Sequence, residues 1–339
     1  MKKYFAIVAI ILLAGFSFRV LAQYSDSGPL FSFRGVLKGI LNDIEEVAQA
    51  VASEVRNPFS ATPAPAQPSG ENSFTFAVIG DTQRFSAGNP NGNFQRAVKD
   101  IVADNPNLVI STGDLTGTCE SYTECVQKHE EWKKIAAPFL SKTYAAMGNH
   151  DNVGNKGVKA WQDVFNFPTN GPSGYSEVTY SFDFKNSHFV FLDSDVPDEH
   201  QINEAQRNWL DQDLAKNKKE NTFVVFHEPA WPVSSKIGES LDTQTGQRDA
   251  LWSIIAKHNV TAVFNGHEHI VSRRKVGSIY QFVFGNTDSY NHDLPKPGVA
   301  EYASQVQGSF GIVSVNGKEI TVKVFDPANK ELNSFSFSK

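Results

Sequence analysis

Five short segments of the chain end in side chains that bind divalent cations. They are Gly80-Asp81-Thr82-Gln83, Gly113-Asp114, Gly148-Asn149-His150-Asp151, Phe226-His227-Glu228-Pro229 and Gly266-His267-Glu268-His269. Asp81, Asp114, Asn149, His227, His267 and His269 together offer two carboxylates, one amide and three imidazoles. Such a mixed oxygen and nitrogen set suits a pair of first-row divalent metals. Each segment alone says little. A Gly-Asp pair is usually a turn, a lone buried histidine is more often a hydrogen-bonded core residue, and asparagine readily takes a left-handed turn. Gly-His-Glu-His is more telling, because two imidazoles two residues apart in a tight turn rarely serve structure alone. His129, His188, His200, His258 and His292 lie outside the segments and read as structural.

For the segments to meet, each must follow the carboxyl end of a strand, where the ligand crevice of an open α/β sheet forms. The hydrophobic pattern supplies such strands. F-T-F-A-V-I-G opens at Phe74, L-V-I-S-T-G precedes Asp114, and Tyr144-Ala145-Ala146-Met147 precedes Gly148. Phe223-Val224-Val225-Phe226 and Ala262-Val263-Phe264 lead into His227 and His267. Between them, apolar residues at helical spacing predict helices over 93–103, 122–140, 204–214 and 249–257. This alternation argues for parallel strands joined by crossover helices. Two further strands are expected at 180–184 and 189–192, and the C-terminal part alternates as β over 279–284, 310–315, 320–325 and 334–337. Two sheets with helices outside fit this order better than one: an α/β fold. The stretches 152–174 and 231–247 read as loops at the rim of the crevice, carrying Lys156, Lys159, Trp161, Trp231 and Lys236. Arg273 and Arg274, just after the last segment, are the better candidates for a phosphate contact.

The N-terminal end reads differently. Met1-Lys2-Lys3 is a basic start, and 4–18 is an almost unbroken apolar run broken at Gly15, Ser17 and Arg19, too short for a spanning helix. Val20-Leu21-Ala22 suits signal-peptidase cleavage before Gln23, so residues 1–22 read as a signal peptide and the protein as exported, to the periplasm or the medium, with no membrane span in its mature form. Cleavage removes Lys2, Lys3 and Arg19 and moves the formal charge from −6 to −9, which argues against a basic surface for nucleic acid. Residues 23–73 carry an amphipathic stripe (Leu37, Ile40, Ile44, Val47, Val51, Val55) followed by a linker with Pro58, Pro63, Pro65 and Pro68. The third region, 74–339, holds all five segments. In an oxidising compartment Cys119 and Cys125, six residues apart, are expected to form a local disulfide. At 339 residues, with 26 Phe and 40% hydrophobic content, the chain can bury a large core.

The order of the segments resembles the calcineurin-like metallophosphoesterase superfamily, which includes purple acid phosphatases and cyclic-nucleotide phosphodiesterases. The resemblance runs from about Phe74 to Phe325 and is most specific in G-N-H-D and G-H-E-H, with softer echoes in Y-S-F-D-F (180–184), F-L-D-S (191–194) and Q-R-N-W-L (206–210). It implies a four-layer α/β/β/α double β-sandwich flanked by helices. It also implies two divalent metal ions (Mn, Fe or Zn). Asp81 and His269 would hold the first, Asp114 would bridge, and Asn149, His227 and His267 would complete the second. His150 would stand near the leaving group as a non-ligand, oriented by Asp151.

Two positions depart from the family pattern. The first motif commonly reads Asp-x-His, and here Gln83 stands in place of that histidine. It either ligates through its amide oxygen or leaves a position to water, which makes the first site richer in oxygen and favours Mn or Fe over Zn. The purple branch has a tyrosine three residues after the bridging aspartate; here that residue is Gly117, so its iron–tyrosinate colour is not expected. By the resemblance, a hydroxide bridging two metals would attack phosphorus in small phosphate mono- or diesters, with His150 stabilising charge or protonating the departing oxygen. The rival expectation is a non-catalytic metal-binding or structural protein that keeps the fold, for which Gln83 and the helix around 37–55 speak.

Overall fold

The computed structural model describes residue 70 and residues 72–152 and 156–339. The signal peptide, the amphipathic stripe and nearly all of the linker read from the sequence lie outside the described residues.

Strands β1 (Ser73–Ile79), β2 (Leu108–Ser111) and β3 (Thr143–Ala145) are the short apolar runs seen in the sequence. β1 and β2 are buried along their whole length, as strands between a helical layer and a second sheet must be. They pair in parallel, β1 with β2 and β2 with β3. Helices α1 (Asn93–Asp104) and α2 (Tyr122–Ala136) make the crossovers. α1 buries Phe94, Ala97, Val98 and Ile101, the apolar face its spacing predicts. α2 is capped by Ser121, whose hydroxyl accepts the Glu124 N–H. The sequence carries this helix to Leu140, but it stops at Ala136, since Pro138 can neither donate its missing N–H nor fit the preceding turn.

A six-stranded sheet results, in the order β13-β12-β11-β1-β2-β3, with β11 (Phe310–Asn316), β12 (Glu319–Phe325) and β13 (Glu331–Ser338) antiparallel. The second sheet has seven strands in the order β10-β8-β9-β7-β6-β5-β4. β4 (Tyr180–Phe184), β5 (Ser187–Phe191), β6 (Asn221–Val225), β7 (Ala262–Asn265) and β9 (Ile279–Phe284) match expected strands. β5, β6, β7 and β9 run parallel. Helices α4 (Glu204–Lys216) and α5 (Thr245–Lys257) cover the outer face, where Leu210, Leu214, Leu251 and Ile255 pack on Val190, Val224 and Val263.

Phenylalanine joins the sheets. The Phe76 ring on β1 lies 5.4, 5.3 and 5.7 Å, between centroids, from Phe189, Phe223 and Phe264 on the opposite sheet, all edge-on. Helices on the outer faces complete four layers, α/β/β/α.

Three elements differ from expectation. The stretch 152–174, read as a rim loop, contains α3 (Lys156–Val164), and Trp161 on it is wholly buried against Phe165 and Phe167. Strands β8 (Val271–Val276) and β10 (Tyr302–Ser304) extend the second sheet's edge and had no clear alternation to mark them. The disulfide forms, with Cys119 and Cys125 Cα atoms 5.2 Å apart and both side chains buried. Among the described residues no helix is long and apolar enough to cross a membrane.

Candidate metal centre

The five segments follow β1, β2, β3, β6 and β7 and converge. Their backbones interlock first. Asp81 N–H donates to the Gly113 carbonyl and Thr82 N–H to the Asp114 carbonyl, at 3.0 and 2.9 Å. Asp81, Asp114, His267 and His269 all adopt left-handed backbone, with φ of 52°, 51°, 67° and 48°. Asn105, Glu177, Lys185, His200, Asn259 and Asn329 share this backbone elsewhere, so it is the four side chains meeting on it that distinguish the centre. Gly113 (φ 104°) has no room for a side chain, because a Cβ there would lie 2.7 Å from His227 Nδ1.

One half of the centre is built from Asn149, His227 and His267. Asn149 Oδ1 lies 3.1 Å from His227 Nε2 and 3.1 Å from His267 Nδ1. The opposite nitrogens are tied to backbone: His227 Nδ1–H donates to the Thr112 carbonyl (2.9 Å) and His267 Nε2–H to the Glu239 carbonyl (2.8 Å). With those protons committed, the inward nitrogens carry lone pairs, as metal-ligating histidines do. Asn149 Oδ1 has no proton to offer them, so three lone-pair atoms face one another. Ligand atoms about 2.1 Å from one ion stand about 3 Å apart, so a divalent cation fits this half. Asp114 adds Oδ2, 3.4 Å from His227 Nε2.

The other half holds Asp81, Asp114 and His269, whose ligand atoms lie within 4.8 Å of one another. His269 Nε2 is 3.3 Å from Asp81 Oδ1 and 2.9 Å from the Gln83 amide nitrogen. The His269 ring stacks on His292, with centroids 4.1 Å apart. Among the described residues Asp114 Oδ2, Gln83 Oε1 and His269 Nδ1 are buried with no hydrogen-bond partner. Burial pushes the Asp81 carboxyl above the usual range. Burial acts the same way on Asp114, but a charged His227 beside it, a state that a bound cation would replace, outweighs burial and holds that carboxyl below the range. Burial and the charge of His269 push His292 down to about 4.

His150 is the exposed imidazole of the centre, its side chain 37% accessible, with Nε2 4.0 Å from Asp114 Oδ2. Its Nδ1 meets Thr118 Oγ1 at 2.6 Å. The orienting role expected of Asp151 is therefore corrected. The Asp151 carboxylate is wholly buried and accepts the N–H groups of Leu115, Thr116 and Gly148 at 3.0–3.1 Å. It holds the loop after β2 against the loop after β3, with the Thr116 hydroxyl and His129 each 3.4 Å from Oδ1.

Arg273 and Arg274 are corrected as well, because β8 carries them into other company. Arg273 pairs with Glu301 (3.1 Å), bonds Asn333 and covers the Phe335 ring, while Arg274 reaches the Pro232 carbonyl and Trp231. Arg84, which follows Gln83 in the chain, stacks 3.5 Å over the exposed Tyr290 ring, and the charge of Lys236 acts on His267 and His292. Glu268, the unassigned residue of Gly-His-Glu-His, pins the loop after β6 by accepting the Val233 and Ser234 N–H groups. That loop presents the Glu239 carbonyl to His267. Nothing local marked Thr118, Arg84 or Glu268, although Glu268 stood within a quoted motif.

Comparison with known proteins agrees with this geometry. The profile for calcineurin-like phosphoesterase matches residues 74–271. A protein described as a probable cyclic nucleotide phosphodiesterase of Rhodococcus erythropolis is 25% identical over 224 residues, covering 64% of this chain and 69% of that protein. Purple acid phosphatase 13 of Arabidopsis thaliana is 26% identical over 225 residues, 64% of this chain but 37% of the relative. The chain thus spans less than half the length of that plant relative. Among solved structures, a purple acid phosphatase from yellow lupin seeds superimposes with a TM-score of 0.65 at 14% identity, covering 80% of this chain and 55% of that one. A dimetal phosphatase from Danio rerio gives a TM-score of 0.53 at 14% identity, with 78% of this chain and 98% of that one covered. Four layers, five ligand-bearing strand ends and a profile match over more than half its length say the same thing: the chain belongs to the calcineurin-like phosphoesterase family.

Proposed function

We propose that this protein is an exported phosphoesterase that hydrolyses small phosphate mono- or diesters with the help of two divalent metal ions. The observation that carries the reading is the meeting of Asn149 Oδ1, His227 Nε2 and His267 Nδ1, with both outer imidazole nitrogens tied to carbonyls. Asn149, His227 and His267 would hold one ion, Asp81, His269 and the Gln83 amide oxygen the other, and Asp114 would touch both. When bound, such a pair supplies Lewis acidity to phosphoryl oxygens and lowers the pKa of water.

The chain's own residues supply the rest. Asp114 receives the His150 N–H at 2.9 Å through Oδ1, which leaves Oδ2 turned inward between the two halves. His150, neither buried nor a ligand, keeps Nε2 toward the same place and delivers a proton to the departing oxygen. The region 74–339 is the catalytic domain in this reading, 1–22 a signal peptide, and 23–73 a helix and linker outside the chemistry.

A purely structural protein of this fold would have no use for His150 held by a specific hydroxyl, so hydrolysis is favoured over scaffolding. The test is hydrolysis of chromogenic phosphate mono- and diesters by the purified protein after manganese loading and again after chelation. Turnover that needs the metal and is lost in Asp114→Asn supports the reading. A folded, metal-loaded protein inactive on both ester classes overturns it. N-terminal sequencing of the exported product should begin at Gln23, and a start at Met1 would overturn the cleavage site.

A further inference from the structure

The side chain that holds His150 sits beside the disulfide. Thr118 lies in the irregular segment between β2 and α2, and its side chain is exposed. An exposed loop residue is ordinarily a poor positioning device, because its backbone is free to move. Here the backbone is fastened at the residue's own carbonyl and at the residue that follows it. The Thr118 carbonyl accepts Lys128 Nζ, from the second turn of α2, at 2.5 Å. Its neighbour Cys119 is joined to Cys125 in the first turn of the same helix, with both sulfurs in a buried cluster that includes Ala160.

We propose that Thr118 is a positioning residue for His150, and that the Cys119–Cys125 disulfide sets its position, so that protonation of the leaving group depends on the intact bridge. The inference rests on the reading of His150 as proton donor. In the donating step the P–O bond to the leaving group breaks, and its electron pair takes the proton from His150 Nε2. The Nδ1–H remains donated to Thr118 Oγ1, and the now neutral ring regains its proton from solvent. A hydroxyl suits the post because it can accept from Nδ1–H or donate to a bare Nδ1. Reduction by a phosphine and water breaks the S–S bond into two thiols, with the phosphine oxidised to its oxide.

Leaving-group dependence tests this, since a nitrophenolate departs with little need of a proton and an alkoxide needs one. In the manganese-loaded full-length protein, Thr118→Val should lower kcat for an alkyl phosphate on the order of 10-fold more than for 4-nitrophenyl phosphate, part of the 10²–10⁴ that general acids contribute. KM and manganese content should be unchanged, and Thr118→Ser should restore the alkyl rate. The double variant Cys119→Ala/Cys125→Ala, and the phosphine-reduced native protein, should show the same selective loss. Equal losses on both esters, loss of manganese, or failure of serine to rescue overturns the positioning role. Full alkyl activity in both reduced and double-variant proteins overturns the role of the disulfide. His150→Ala separates the two layers: if it too loses both esters equally, the proton-donor reading fails and this inference with it.

Discussion

Around Asn149, His227 and His267, backbone carbonyls decide where each imidazole proton goes, whereas around Asp81 and His269 side chains face one another and, among the described residues, no carbonyl sorts the His269 ring. The first half is preorganised, with ligand lone pairs aimed inward by the fold itself. The second half has an amide in place of an expected imidazole, a ligand ring stacked on another histidine, and an unpartnered Nδ1 among the described residues. Backbone carbonyls thus orient both imidazoles of one half, while in the other the backbone holds the Asp81 carboxylate, through the His267 N–H at 3.0 Å, and leaves Gln83 and His269 to each other.

The largest effect should come from the residue both halves share. Asp114→Asn is expected to cut turnover on the order of 10³-fold, because it removes the charge between the halves while keeping the shape; steady-state hydrolysis with a circular-dichroism check of folding measures it. Gly113→Ala strikes the first half hardest, since its Cβ would crowd His227 Nδ1 and its backbone is left-handed, while its carbonyl also accepts the Asp81 N–H of the second half. Manganese titration should show one site weakened by about 10–100-fold, and equal weakening of both would break the contrast between halves. Gln83→His addresses the second half. It should tighten that site by about 10-fold in a chelator competition, in keeping with an added imidazole ligand, and unchanged affinity would show that Gln83 is not in a ligand position.

The smallest effect lies away from the centre and extends the contrast. At His188 carboxylates take the place of carbonyls, with Asp183 and Asp213 at 2.7 and 2.8 Å from its two nitrogens. Burial opposes the charge, but the two carboxylates outweigh it and raise the imidazole above its ordinary value. The resulting stabilisation is full below about pH 6.5, the unfolded value, and is lost as pH rises through the folded value. The melting temperature of His188→Asn should therefore fall below that of the native chain in mild acid by an amount equivalent to about 1 kcal/mol. The gap should shrink in alkali, and a gap that ignored pH would deny the pairing its electrostatic origin.

Much of this was legible in the residues. Short runs such as Phe223-Val224-Val225-Phe226 announce buried strands, and ligand types placed directly after them announce the centre, because both signals are local. What escaped was non-local. Asp151 binds Leu115 N–H, 36 positions away, and Thr118 meets His150 across 32; neither contact leaves a periodic trace. Trp161 looked like a rim residue because Gly157 and polar neighbours thin the pattern of α3, though it packs wholly in the core. Arg273 is close to Gly-His-Glu-His in sequence, but β8 leads its side chain to Glu301.

The left-handed backbone at Asp81, Asp114, His267 and His269 has a consequence for inheritance. Holding a side chain there costs on the order of 1 kcal/mol, less for the two aspartates, and at these four positions the side chains make that cost useful. A copy of this gene released from selection for activity would gain heat resistance by drifting to glycine at those positions, and would lose its candidate ligands in the same step. Decay of the chemistry and hardening of the fold would then be one event. A descendant kept only as a scaffold would carry that record at residues 81, 114, 267 and 269.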